Sequence, residues 1–408
     1  MLPLTAALVL ALAPAPWGTG ESQGEDLVIE MTTFGPGDTL TEWWGHSALV
    51  VRDTRLHQER LYNYGMFGFS TGFVHKFVQG RLEFWVEDTP YVVGTYRMYE
   101  GLNRFVHIQE LNLLPAQRLV LAKALADNVL PQNREYLYQH YHDNCSTRPR
   151  DLIDKAVGGQ LREWSKQPGR MTIRNHTRRY SSVSPPMSLV LDYLQNDELD
   201  GPVTLGDEAF LPDELERQLD TFQVKRDDGT LAPLVAKKTV WFEAKREPTP
   251  QEPVRWGLWL FLTGLAVALV GHALGHWGRD GARLPRVLLG LFTTVLGLGQ
   301  GVMGVFLFVV GIFTDHTVAH RNENLFLVNP ITFALFPLGL MLIFGSTRAR
   351  NGLKWTWSAL AALGALGVLC KVLPAFDQAN WNLNLLELPV TFGFAALWWL
   401  DARYRAAR

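Results

Sequence analysis

Three stretches of the carboxy-terminal half carry no Asp, Glu, Lys or Arg: residues 256–278, 287–314 and 325–347. Each is long enough to cross a hydrocarbon core of roughly 30 Å, and no ordinary water-soluble domain has room to bury all three. A fourth apolar segment runs from Trp355 to Leu373, with Lys371 near enough to its end to reach the interface. A fifth covers Leu385–Leu400, with Glu387 in its first turn. The chain is therefore expected to end in an all-α transmembrane domain of about five helices.

The charges between these segments orient them. Arg279, Arg283 and Arg286 lie in the first link, Arg348, Arg350 and Lys354 in the third, and Arg403, Arg405 and Arg408 in the tail. The second link, TDHTVAHRNEN, has one Arg, and the fourth, PAFDQANWNLN, has none. Basic links on alternate sides place the carboxy terminus in the cytoplasm and residues 20–255 outside. The amino terminus agrees. Residues 2–13 (LPLTAALVLALA) form a short apolar run followed by small and polar residues, the pattern of a secretory signal or an uncleaved anchor. The expected division is a signal or anchor over 1–20, an exported domain over 21–254 and a membrane domain over 255–408. A net charge of -2 offers no basic excess for nucleic acid. Two cysteines, Cys145 and Cys370, rule out a disulfide framework.

The exported part reads as α+β. Strands are expected at Ser47–Arg52, Arg60–Tyr64, Leu82–Glu87, Tyr91–Tyr99 and Arg104–Gln109, then a helix over Pro115–Asn128. In HDNCSTRPRDLID, Asp143 or Asn144 can cap a helix that Cys145 starts.

Cys145 is the only cysteine of this half, and Cys370 lies within an expected span. A thiol at a helix amino terminus meets free N–H groups and a favourable dipole, so the expectation is a nucleophile with a stabilised thiolate. The competing reading is a small buried hydrophobe. The best base is His46 in WWGHSALVV, with His142, His75, His107, His140 and His176 as the other choices. Asn63 on the next strand is placed to orient the imidazole, with Tyr62 and Tyr64 as alternatives, although simple core packing also accounts for that aromatic strand. Trp44, Asn144, Arg148 and Arg178 are candidate substrate contacts or helpers, the arginines as partners for a lipid phosphate. In the outer links, His316, Asn322 and Asn324 are candidate helpers. His140, His142, Cys145 and His46 fit no strong metal signature, so neither metal nor cofactor is expected. A His-first, Cys-last order suits a circularly permuted papain-like (NlpC- or LRAT-like) domain.

WWGHSALVV around His46, LYNYGMFGF around Asn63, HDNCSTRPRDLID around Cys145 and FTDHTVAHRNENLFLVNP in the second outer link together resemble the Lnb-type bacterial lipoprotein N-acyltransferases. The resemblance covers about residues 26–400. It implies a permuted papain-like thiol domain on a helical membrane domain, with the catalytic Cys and His at Cys145 and His46. It also implies acyl transfer to the α-amino group of a diacylated lipoprotein's N-terminal cysteine, with a membrane phospholipid as a possible donor. GMFGF departs from the acidic version of that segment in relatives. The alternatives are a membrane-tethered cysteine peptidase or amidase acting on cell-wall peptides, and a non-catalytic polytopic sensor or scaffold.

Overall fold

The computed structural model describes residues 14–68, 72–279 and 281–407. The proposed signal segment, residues 2–13, lies outside the described residues. The chain divides into two compact units, the first comprising residues 1–73, 82–170 and 203–249, the second residues 74–81, 171–202 and 250–408. Two segments that precede residue 254 in the chain, 74–81 and 171–202, group with the apolar helices.

The first unit is α+β. Its strands are β1 (Leu27–Phe34), β2 (His46–Asp53), β3 (Gln58–Met66), β4 (Glu83–Thr89), β5 (Val106–Leu111), β6 (Glu135–Leu137), β7 (Gln223–Lys225), β8 (Leu231–Pro233) and β9 (Val235–Phe242). Seven of them form one antiparallel sheet in the order β6-β4-β3-β2-β1-β5-β9, and β7 and β8 pair separately. Strand β2 is apolar at successive positions because both faces of the sheet are covered. Leu49 and Val51 join Tyr62, Tyr64 and Leu121 on one side, whereas Ala48 and Val50 join Phe34, Tyr96 and Val106 on the other. The expected strand Tyr91–Tyr99 is instead the helix Val92–Gly101. Its β-branched and aromatic residues fit a strand locally, but burying Val92, Tyr96 and Tyr99 against the sheet uses a helical spacing. Ala15 and Trp17 are part of the core, and the Trp17 indole N–H donates to Tyr62 Oη at 2.8 Å. Folded structure thus begins before residue 21.

The second unit contains four helices long and apolar enough to cross a membrane: Gly257–Trp277, Arg283–Phe313, Thr347–Cys370 and Trp381–Ala406. The expected continuous span 325–347 is broken. Short 3₁₀ turns at Glu323–Phe326 and Pro330–Ala334 precede a helix of nine residues, Leu335–Ile343, and the segment bends by 59°. Pro330 lacks the N–H needed to continue a helix, and the Asn329 side chain caps a new start by accepting from Ile331 N–H. Counting that bent pair as one span gives five. A glycine stripe on Arg283–Phe313 lets its backbone meet the broken segment. A Cβ added at Gly297, Gly301 or Gly304 would lie 2.4 to 2.6 Å from Phe336 N, Phe333 Cα or Asn329 N.

Candidate functional site

The loop before β2 brings His46 into place through Gly45, whose φ is +76°. A Cβ there would lie 2.9 Å from the carbonyl oxygen of Phe34, so only glycine allows this approach. His46 then opens β2 opposite Phe34. Asn63 pairs with Ala48, two residues along β2 from His46, so the period of two puts Asn63 and His46 on one face. Their side chains meet in a hydrogen bond between Nε2 and Oδ1. Because Oδ1 only accepts, Nε2 carries the proton, which leaves Nδ1 with its lone pair free. Phe34 and Tyr99 stack with the imidazole, at centroid distances of 6.1 and 6.4 Å.

Cys145 lies in the turn before the helix Thr147–Ala156 rather than inside it. Asn144 builds that turn. Its Oδ1 accepts from the N–H groups of Ser146 and Thr147, and its Nδ2 donates to the carbonyls of His140 and Phe210. The cysteine is half-buried and packs against the core rather than being sealed within it. It lies beside the end of β3, where a Cβ at Gly65 would be 3.6 Å from that of Cys145. The backbone N–H groups of Ser47, which directly follows His46, and of Cys145 itself favour ionisation of the thiol.

Burial pushes the Cys145 thiol up to about 11, against the two N–H groups and the charge of Arg104, which favour ionisation. Burial likewise pushes the His46 imidazole down to about 4; the bond to Asn63 opposes this, and Arg104 adds to it. The pair is neutral at physiological pH.

Arg104 is the residue that sequence reasoning missed. Its Nε donates to the Gly35 carbonyl at 2.6 Å, and its guanidinium lies 4.6 Å over the Tyr99 ring. It is buried, and its charge acts on both His46 and Cys145. Nothing in its spacing distinguishes it from an arginine at the start of a strand.

Other predicted residues are committed elsewhere. Tyr62 and Tyr64 point to the opposite face of the sheet from Asn63, and their hydroxyls accept from Trp17 and Asn128. They are core residues, not orienters of His46. Trp44 meets His140 edge to face at 4.6 Å. Arg148 holds both oxygens of Asp143 and lies 3.5 Å over the Tyr136 ring. His107 is bonded to Glu216, and His176 is wholly buried.

Arg178, His316, Asn322 and Asn324 belong to the second unit. Arg178 bonds Asp192 and the Ala379 carbonyl, and His316 bonds the Phe77 carbonyl. The amides of Asn322 and Asn324 donate to the carbonyls of Asp192, Tyr193 and Leu194, the last turn of the helix Pro185–Leu194. The basic segment around Arg174 is internal: Arg174 is fully buried and forks onto Asp200 at 2.5 and 2.9 Å. These side chains hold structure together. Among the described residues, no three His, Cys, Asp or Glu side chains converge as metal ligands.

Residues 13–179 match the family described as the Lnb N-terminal periplasmic domain. No curated protein and no solved structure matches the chain.

Proposed function

With residues 13–179 belonging to the Lnb N-terminal periplasmic domain family, we propose that this membrane protein is a lipoprotein N-acyltransferase. In this reading it moves a fatty acyl chain through a Cys145 thioester onto the α-amino group of a bacterial lipoprotein's N-terminal cysteine. One observation carries the proposal: a half-buried cysteine whose ionisation is favoured by its own N–H and by that of Ser47, the residue after an Asn63-oriented histidine.

The chemistry follows from that arrangement. Nδ1 of His46 takes the thiol proton as sulfur attacks an ester carbonyl, so the thiolate exists only as the new bond forms. The oxyanion is received by the N–H groups of Ser47 and Cys145. The carbon–oxygen bond breaks, the alcohol leaves with the proton held by His46, and a thioester remains. The lipoprotein amine then attacks that carbonyl. Its proton passes through His46 to the departing sulfur, giving an amide and the free thiol. The thioester must be kept from water until the amine attacks.

We read the His-first, Cys-last order as a permuted papain-like domain. The alternating basic links support a multi-pass placement in the inner membrane, with the catalytic domain periplasmic and the carboxy terminus cytoplasmic. The donor is either a phospholipid or a chain already on the lipoprotein. The test is mass spectrometry of a lipoprotein's N-terminus from cells with the native protein, with Cys145→Ala, or with neither. Loss of N-acylation in the variant, together with an acyl adduct on Cys145 of the native protein, is the expected result. Full N-acylation with Cys145→Ala overturns the proposal. The mass of the product separates a triacyl from a rearranged lyso form, and so identifies the donor. A cell-wall peptidase would leave that N-terminus unchanged.

A further inference from the structure

The helical unit has a second charged centre, at the end where Gly257–Trp277 finishes and Arg283–Phe313 and Thr347–Cys370 begin. A small cleft there is lined by Gly275, Gly278, Arg286, Arg350, Trp398 and Asp401. Its interior, about 10 Å³, admits one oxygen-sized group. Asp401 is buried and already shared, by Arg350 at 3.0 Å and Arg405 at 3.1 Å. That carboxylate is occupied twice. The Nε of Arg286 and that of Arg279 are buried and find no hydrogen-bond partner among the described residues.

The Arg286 guanidinium is held in place rather than free in solvent. The turn at Gly345 packs on it, and a Cβ there would lie 3.0 Å from its Nη1. Neither helix that begins here has an acidic residue in its first turn to offset the positive pole and the arginines. Among the described lining residues, two arginines face one carboxylate that is already shared, and buried guanidinium N–H groups left without acceptors are costly.

We propose that this cluster, Arg279, Arg286 and Arg350, binds the phosphate of an anionic phospholipid headgroup. One phosphate oxygen enters the cleft, and the guanidinium groups take the others. Under the topology proposed above, the lipid belongs to the cytoplasmic leaflet, and the site is independent of acyl transfer.

The test is native mass spectrometry of the full-length protein in detergent, titrated with phosphatidylglycerol and with phosphatidylethanolamine of the same chains. The native protein should retain the anionic lipid at least about tenfold more tightly. Arg286→Gln should bring that preference down to the level of the zwitterionic lipid. Arg97→Gln, the same change of charge on an exposed helix of the first unit, should leave it intact. Arg279→Gln is the second variant should Arg286→Gln fail to fold, and it should weaken the preference. Equal retention of the two lipids by the native protein overturns the assignment, as does an unchanged preference in a folded Arg286→Gln. Displacement of phosphatidylglycerol by millimolar inorganic phosphate would assign the site to free phosphate and overturn the lipid reading.

Discussion

With burial pushing the Cys145 thiol up to about 11 and the His46 imidazole down to about 4, the proton prefers sulfur by a wide margin. Alkylating reagents consume only thiolate. The iodoacetamide reaction of Cys145 should therefore speed up about tenfold per pH unit from pH 6 to pH 9, with no plateau. Stopped samples analysed by mass spectrometry give the rate, and a rate that is flat from pH 5 upward would exclude the neutral pair. His46→Ala should leave that profile in place, because the histidine holds no proton at rest, yet lower acyl transfer about 10²- to 10⁴-fold. Cys145 and His46 were legible as residues because a lone polar-flanked cysteine and a Gly-His at a strand mouth are local signals. Their protonation states were not legible. The helix dipole can be read from order along the chain, but the burial that outweighs it depends on residues distant in sequence that fold around the thiol.

At the scale of elements, the helix Arg283–Phe313 separates two kinds of glycine. Gly304 lies with its α-carbon against the Asn329 backbone, whereas Gly299 has nothing near its missing side chain. Gly304→Ala should force the broken segment away from the helix and lower the melting temperature of the detergent-solubilised protein by several degrees, through a loss of about 1–3 kcal/mol. Gly299→Ala should be neutral or stabilising by up to about 1 kcal/mol, since alanine is the better helix former. Thermal unfolding followed by circular dichroism distinguishes them, and equal effects would mean that the stripe does not pack as described. The apolar lengths of the other helices could be read directly from uncharged runs. The bend near Pro330 could not be, because hydropathy averages over the one residue that breaks the ladder. The helix Val92–Gly101 escaped for a related reason: its residue types favour a strand, and only packing against the sheet reveals its helical period.

At the scale of the whole molecule, the separation of exported from apolar sequence was clear in the charges, but the sorting of segments into folded units was not. Residues 171–202 are polar and basic, yet they belong with the apolar helices, because their arginines turn inward onto Asp192 and Asp200 and their last helix is held by Asn322 and Asn324. Replacing both asparagines with alanine removes four hydrogen bonds to buried carbonyls, each costing about 1–3 kcal/mol when left unmade. In the full-length protein this should open a protease-sensitive site within residues 182–202 while the rest of the chain stays resistant. An unchanged digestion pattern would show that other contacts hold this helix.

The chain passes from one unit to the other after residues 73, 81, 170, 202 and 249. Interleaving of this kind constrains ancestry and engineering alike. No single cut in the gene yields either unit as a whole, and no simple end-to-end joining of two older genes would have produced the pattern. A swapped relative, a truncated version or a split reporter must respect all five passages, so the two halves can be inherited, exchanged or lost only together.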